Sequence, residues 1–192
     1  APGGNVTGTS DISPVSEQID LLMKLYPNAK TIGTIYTSSE VNSEIQVKAM
    51  TEYAQSKGLT VRVATISTVN DIQQAAQSIV NDVDVFYEPT DNVIASAMPT
   101  LTSVTDPAGK GIICAFAGGV AAGGLATKGI DYYKLGMQTG EMAADILEGK
   151  KKPSEMKIET ARDLMVVINK KNAEKIGLTI PADVLNGATI VP

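Results

Sequence analysis

The chain has 192 residues, 43% hydrophobic and 19% charged, with a net charge of −5, no His, no Trp and one Cys. That is enough for one domain of ordinary size with a remainder, and without His and with a single Cys there is no His/Cys zinc site, internal disulfide or Ser-His-Asp triad. The acidic balance argues against a nucleic-acid surface, and no window holds the roughly 20 apolar residues of a membrane helix.

The start is turn-like. Ala1-Pro-Gly-Gly lacks the charged and apolar segments of a signal peptide. The expectation is a removed leader or a chain that begins partway through a larger protein. Ser13-Pro14 then reads as a helix start, with Val15, Ile19, Leu22 and Leu25 at helical spacing. Residues 31–36 read as a first strand, followed by a polar loop at 37–42. A second helix carries Ile45, Ala49 and Tyr53 and stops at Gly58. Residues 59–66 are a second strand, and Ile72, Ala75, Ala76 and Ile79 mark a third helix opened by the capping run 67–71.

A third strand is expected at 83–87, ending in Glu88-Pro-Thr-Asp-Asn92. A helix over 93–104, a fourth strand over 111–117 and a short fifth strand over 125–129 follow, the last two separated by a glycine loop. Residues 133–147 form a helix with Leu135, Thr139, Met142 and Ile146 along one face, closed by Gly149. Residues 150–153 are a solvated link, 164–168 a last strand and 170–176 a short helix. Strands alternating with helical runs, each strand nearly all apolar, imply parallel pairing with both sheet faces covered. The fold class is α/β with a doubly wound parallel sheet.

Ligands of such sheets bind at the carboxyl ends of the strands. The first such loop is Thr37-Ser-Ser-Glu-Val-Asn-Ser43, where Ser39, Asn42 and Ser43 precede a helix N-terminus suited to a carboxylate or phosphate. The same residues also serve as ordinary helix caps. The second loop holds Thr90, Asp91 and Asn92, with Asp91 suited to an ammonium and Asn92 to either hydrogen-bond role; Thr90 or Asp91 equally suits an N-cap. The third is Gly129-Ile-Asp-Tyr-Tyr133, in which Asp131 follows the fifth strand, again as ligand group or cap.

Other features carry less. The loop Gly118-Gly-Val-Ala-Ala-Gly-Gly124 is neither G-x-G-x-x-G nor a P-loop, and reads as a flexible connection or a close backbone approach. Cys114 reads as a buried small hydrophobe without a partner base. Met23, Met50 and Met142 read as core, and Glu141 with Asp145 as an exposed i,i+4 pair. No activated nucleophile, metal cluster or cofactor fingerprint is present in the sequence, so the reading is a protein that binds without catalysing.

Five segments occur in order: Asn5-Val-Thr-Gly-Thr-Ser-Asp11, Pro27-Asn-Ala-Lys-Thr-Ile-Gly33, Glu88-Pro-Thr-Asp-Asn92, Gly129-Ile-Asp-Tyr-Tyr133 and Gly136-Met-Gln-Thr-Gly-Glu141. Together they resemble the substrate-binding proteins of ABC importers, in the tryptophan/tyrosine-type group for aromatic amino acids. The resemblance spans almost the whole chain. It implies a type I periplasmic-binding-protein fold, in which two α/β lobes joined by a hinge close on an amino acid and deliver it to a permease. It also implies an extracytoplasmic location, periplasmic or lipid-anchored at the cell surface.

On that resemblance, residues 1–8 are a hinge segment and 9–128 the ligand-binding lobe. Residues 129–160 are a crossing segment and a helix of the other lobe, and 161–192 a return strand and tail. Most of the first lobe is expected to be missing, leaving the Leu135, Met142 and Ile146 face of helix 133–147 open to a homodimer. Ser39, Asn42 and Ser43 would meet the ligand carboxylate; Asp91 and Asn92, in the loop with Thr90, would help hold the ammonium, and Asp131 would complete its site. Ala117-Gly-Gly-Val departs from the acidic turn usual in the family at this point. The alternative is a small-molecule sensor or effector domain of a regulator with the same fold.

Overall fold

The computed structural model describes residues 3–191; Ala1 and Pro2 of the expected hinge segment and Pro192 of the expected tail lie outside the described residues. The chain divides into a smaller unit, Ala1–Ile12 with Ile130–Met165, and a larger unit, Ser13–Gly129 with Val166–Pro192.

In chain order, the short strand β1 (Thr9–Ser10) belongs to the smaller unit, and α1 (Val15–Leu25) opens the larger one. Helix α1 buries Gln18, Ile19, Leu21, Leu22 and Leu25, one stripe at helical spacing. Pro14 occupies its N-cap position, where no side chain caps the helix. Then come β2 (Thr31–Thr37), α2 (Val41–Ser56), β3 (Thr60–Ile66) and α3 (Ile72–Ile79). A 3-10 turn at Val69–Asp71 precedes α3, closed by a capping box between Thr68 and Asp71.

Strand β4 (Val85–Glu88) is shifted toward its carboxyl end relative to the expectation, which draws Glu88 out of the loop and into the sheet. The single helix expected at 93–104 is two, α4 (Asn92–Ser96) and α5 (Met98–Thr105), broken at Ala97 ahead of the Met98-Pro99 start. Residues preceding proline resist the helical region, and proline suits a helix's first turn, so the chain restarts there. β5 (Ile112–Cys114) leads into α6 (Ala117–Ala121), a short helix where a flexible glycine loop was one expectation. β6 (Ala126–Ile130) follows.

The larger unit's remaining elements are set out after α7 (Tyr132–Leu147) and β7 (Glu159–Thr160), which belong to the smaller unit. They are most of β8 (Leu164–Asn169), then α8 (Lys170–Lys175), α9 (Ala182–Leu185) and β9 (Thr189–Val191). β1, β7, α9 and β9 are too short to show a period and were not expected.

The seven-stranded sheet has the order β3-β2-β4-β5-β6-β8-β9, and the pairings β3–β2, β2–β4, β4–β5, β5–β6 and β8–β9 are parallel. From β2 the chain steps outward to β3, then returns to place β4 on β2's other side and continues away. The carboxyl ends of β2 and β4 therefore flank a topological switch point. One core cluster includes Ile19, Leu22, Ile32, Met50, Val85, Ile113 and Leu125; Ile35, Phe86, Ile112 and Cys114 alternate to the sheet's other face and are buried there. Each fully buried aliphatic side chain contributes about 1.5–3 kcal/mol. The apolar-run expectation fails at β3, where only Ile66 is buried and Val63 is 46% exposed. As the sheet's edge, β3 pairs with β2 alone and leaves its outer flank to water.

In the smaller unit, β1 pairs in parallel with β7, Thr9 opposite Glu159 and Ser10 opposite Thr160. The Thr9 and Thr139 hydroxyls meet at 2.6 Å, and Gln138 of α7 donates to Glu159 at 2.9 Å. Glu141 and Glu159 both pair with Arg162, and Asp145 with Lys151, so the expected carboxylate pair is split between two cations. Leu135 and Met142 are only 8% and 4% exposed. Two of the three residues on the face of helix 133–147 expected to be open, Leu135 and Met142, are thus covered, and Ile146 is half-buried. The exposed apolar residues of α7 are Tyr132, Tyr133, Met137 and Leu147.

Candidate binding site at the strand ends

The loops after β2 and β4 flank the switch point, and their side chains are committed largely to one another. Asp91 is 1% exposed. Its Oδ2 accepts the Thr37 N–H at 2.7 Å and its Oδ1 accepts the Thr37 hydroxyl at 2.8 Å. Oδ1 also takes the Val93 and Ile94 N–H groups at 3.1 and 3.0 Å, capping α4. Three donors crowd Oδ1 and one meets Oδ2, and burial closes the carboxylate to solvent. Asp91 therefore binds loop to loop, and the expected ammonium acceptor is not open there.

A second clasp lies beside it. Asn42 Nδ2 donates to the Thr90 carbonyl at 2.7 Å, and the Ser43 hydroxyl to the same oxygen at 3.2 Å. Ser43 is fully buried, so its hydroxyl serves this junction rather than a free anion site. Glu40, not among the expected site residues, occupies the N-cap position of α2. Its carboxylate accepts the Asn92 N–H at 3.1 Å and Asn92 Nδ2 at 3.2 Å, with longer contacts from Asn42 and Ser43. The Glu40 carboxylate accepts none of the α2 N–H groups, so it joins the two loops and leaves the helix's first-turn donors unused.

Of the expected residues, the structure brings Asn42, Ser43, Thr90 and Asn92 into one group joined through Glu40 and the Thr90 carbonyl, with Asp91 in the clasp beside it. Ser39 stands exposed in the same loop and forms no side-chain hydrogen bond with the described residues. Asn92 gives its Nδ2 to Glu40 and keeps its Oδ1 available. Thr90 turns inward, its N–H donating to Gln46 Oε1 at 2.8 Å and its hydroxyl directed at the same atom. Asp131 belongs to the smaller unit, where its Oδ1 caps α7 by accepting the Lys134 N–H at 3.1 Å.

Beneath the loops, Glu88 is buried and neither carboxyl oxygen has a hydrogen-bond partner among the described residues. Burial pushes its pKa up to about 8; the neighbouring Cys114 thiol opposes the shift and the Asp91 charge adds to it. Cys114 is buried opposite Glu88 in the β4–β5 register, and burial together with Glu88 raises its pKa. Gly119 and Gly124 let α6 lie directly on this pair. A Cβ at Gly119 would strike Glu88 Oε2 and one at Gly124 would strike Cys114 Sγ. The glycines mark a close approach of backbone to side chain, and Cys114 does have an acidic neighbour. Among the described residues no group of His, Cys, Asp and Glu could hold a metal ion.

The model of the ABC transporter substrate-binding protein family matches residues 1–191. The chain belongs to that family. It is 41% identical over 177 residues to a tyrosine-binding protein of Clostridioides difficile, covering 92% of this chain and 51% of the relative. A solved domain from Streptococcus pneumonia in complex with L-Trp is 40% identical, with a TM-score of 0.82 over 99% of this chain and 66% of that one. A ligand-free, open substrate-binding protein with adhesive properties from Clostridium difficile is 40% identical, with a TM-score of 0.89 over 99% of this chain and 63% of that one. The chain spans about half the length of the curated relatives it matches. Membership of this family favours the importer reading over the regulator reading.

Proposed function

We propose that the chain is the ligand-binding part of an ABC importer's substrate-binding component, taking an amino acid, aromatic by preference, for delivery to a permease. The observation that carries this reading is the likeness over 99% of the chain to a domain solved with L-Trp. The identity to a tyrosine-binding protein supports the same ligand class. An extracytoplasmic location and a permease partner follow from the family's transport role.

Within the site, Ser39 and the N–H groups of the first turn of α2 are assigned to the ligand carboxylate. That turn has backbone donors without helical partners. Asn92 Oδ1 is assigned to the ammonium. Asn42, Ser43, Thr90 and Asp91 hold these groups in place. The reading is one of capture and release without chemistry. In the isolated chain, two copies would pair through Tyr133, Met137 and Leu147, which light scattering at high concentration reads.

A thermal-shift panel of the common amino acids on the full-length protein tests the ligand class. Stabilisation by Trp, Tyr or Phe above the others is expected. A flat panel contradicts the reading.

A further inference from the structure

Behind the clasped loops, one run of hydrogen bonds crosses the interior of the larger unit. Gln18 Nε2 donates to the Ala115 carbonyl at 2.9 Å, and the Tyr87 hydroxyl donates to Gln18 Oε1 at 2.7 Å. Gln46 Nε2 donates to the Tyr87 oxygen at 2.8 Å, and the Thr90 N–H donates to Gln46 Oε1 at 2.8 Å. Gln18, Tyr87 and Gln46 are 0%, 1% and 7% exposed. The run starts just after β5 and ends just after β4, so both its ends are strand-end positions at the carboxyl edge.

Its direction is fixed. The Ala115 carbonyl can only accept and the Thr90 N–H can only donate. Flipping either amide would set donor against donor or acceptor against acceptor. A satisfied buried network specifies one arrangement, whereas a broken one leaves polar groups stranded at a cost. Apolar side chains of similar volume would fill this space without tying either loop to the other.

We propose that Gln46 is a positioning residue of the ligand site. It fixes the loop after β4 to the junction after β5, so that the two strand-end segments hold one geometry. Gln46 is enclosed by its partners and acts through Thr90. The proposal rests on the amino-acid-binding reading above.

The test is calorimetry on the full-length protein with L-Trp, L-Tyr and L-Phe at about pH 5 and about pH 8. Gln46→Met is expected to weaken the bound amino acid about 10-fold at both pH values. Gln46→Glu is the conservative variant. As a neutral acid it donates to Tyr87 and accepts from Thr90; as a carboxylate it cannot donate. Its affinity is expected to match wild type near pH 5 and to fall about 10-fold more than wild type's near pH 8. Wild-type affinity in both variants at both pH values overturns the proposal.

Should the variants fail to fold, amide exchange in the wild type decides. The Thr90 N–H is expected to exchange about 100-fold more slowly than that of exposed Ser39. Equal rates overturn the proposal. A wild type that binds no amino acid removes the ligand reading, while the exchange comparison still reports on the relay.

Discussion

Thr37 and Asp91 lie 54 positions apart, and Asp91 accepts both the backbone N–H and the hydroxyl of Thr37 at 2.7 and 2.8 Å. This contact fastens the ends of adjacent strands β2 and β4, and with the α4 cap it engages both oxygens of the buried Asp91 carboxylate. Asp91→Ala leaves several donors at a buried junction without an acceptor. It should lower folding stability by about 2–4 kcal/mol in urea denaturation. Asn92→Ala, in the exposed part of the same loop, should cost under about 1 kcal/mol. Equal effects would show that the Asp91 clasp is not structural.

Glu88 predicts an unusual pH dependence. Its carboxyl titrates near its ordinary value, about 4.3, when unfolded, and near 8 when buried in the fold. Between those values the folded chain holds one more proton than the unfolded chain. Stability is therefore full below the lower value and lost as pH rises through the upper one, by up to about 1.4 kcal/mol per unit. Glu88→Gln should flatten the urea midpoint between about pH 5 and pH 8 and raise it at the alkaline end. A variant with the wild-type slope would exclude Glu88 as the source.

Two glycines should respond in opposite directions. Gly119→Ala drives a methyl group into Glu88 and Cys114 and should destabilise by about 1–3 kcal/mol. Gly136→Ala on α7 meets nothing within 4 Å and should stabilise by up to about 1 kcal/mol through helix propensity. Paired melting curves read both. Losses of similar size at both positions would contradict the close packing of α6.

Much of this fold was legible because helical and strand periods are strong where one face is buried. Val15, Ile19, Leu22 and Leu25 outline α1, and the runs at 31–36 and 111–117 lie over β2 and β5. The site was legible only as a location. Strand-end position singled out the loops 37–43 and 88–92, but spacing does not reveal which polar group satisfies which. Asp91 as a buried clasp, Glu40 as the resident carboxylate and Gln46 as the inward partner of Thr90 are pairings across 44 to 54 positions. They depend on which strands lie side by side, and a local pattern does not record that. Glu88 was assigned to the loop for a related reason: a carboxylate before proline looks like turn chemistry, and its burial comes from α6 covering it.

Cys114 should behave as an inert thiol. It is fully buried and its proton is held by burial and by Glu88. A disulfide-exchange reagent at mildly alkaline pH should leave it unlabelled in the native chain and label it once in denaturant. Rapid native labelling would mean that α6 opens freely.

The central claim is that the loops after β2 and β4 present a binding wall for an amino acid. Calorimetric titration of the full-length protein with L-Trp and L-Tyr, beside Ser39→Ala and Asn92→Ala variants, tests it most directly. The wild type is expected to bind at least one of the two, and each variant, losing under about 1 kcal/mol of stability, to bind about 10-fold more weakly or worse. No heat from either amino acid, or variants that bind as tightly as the wild type, would contradict it.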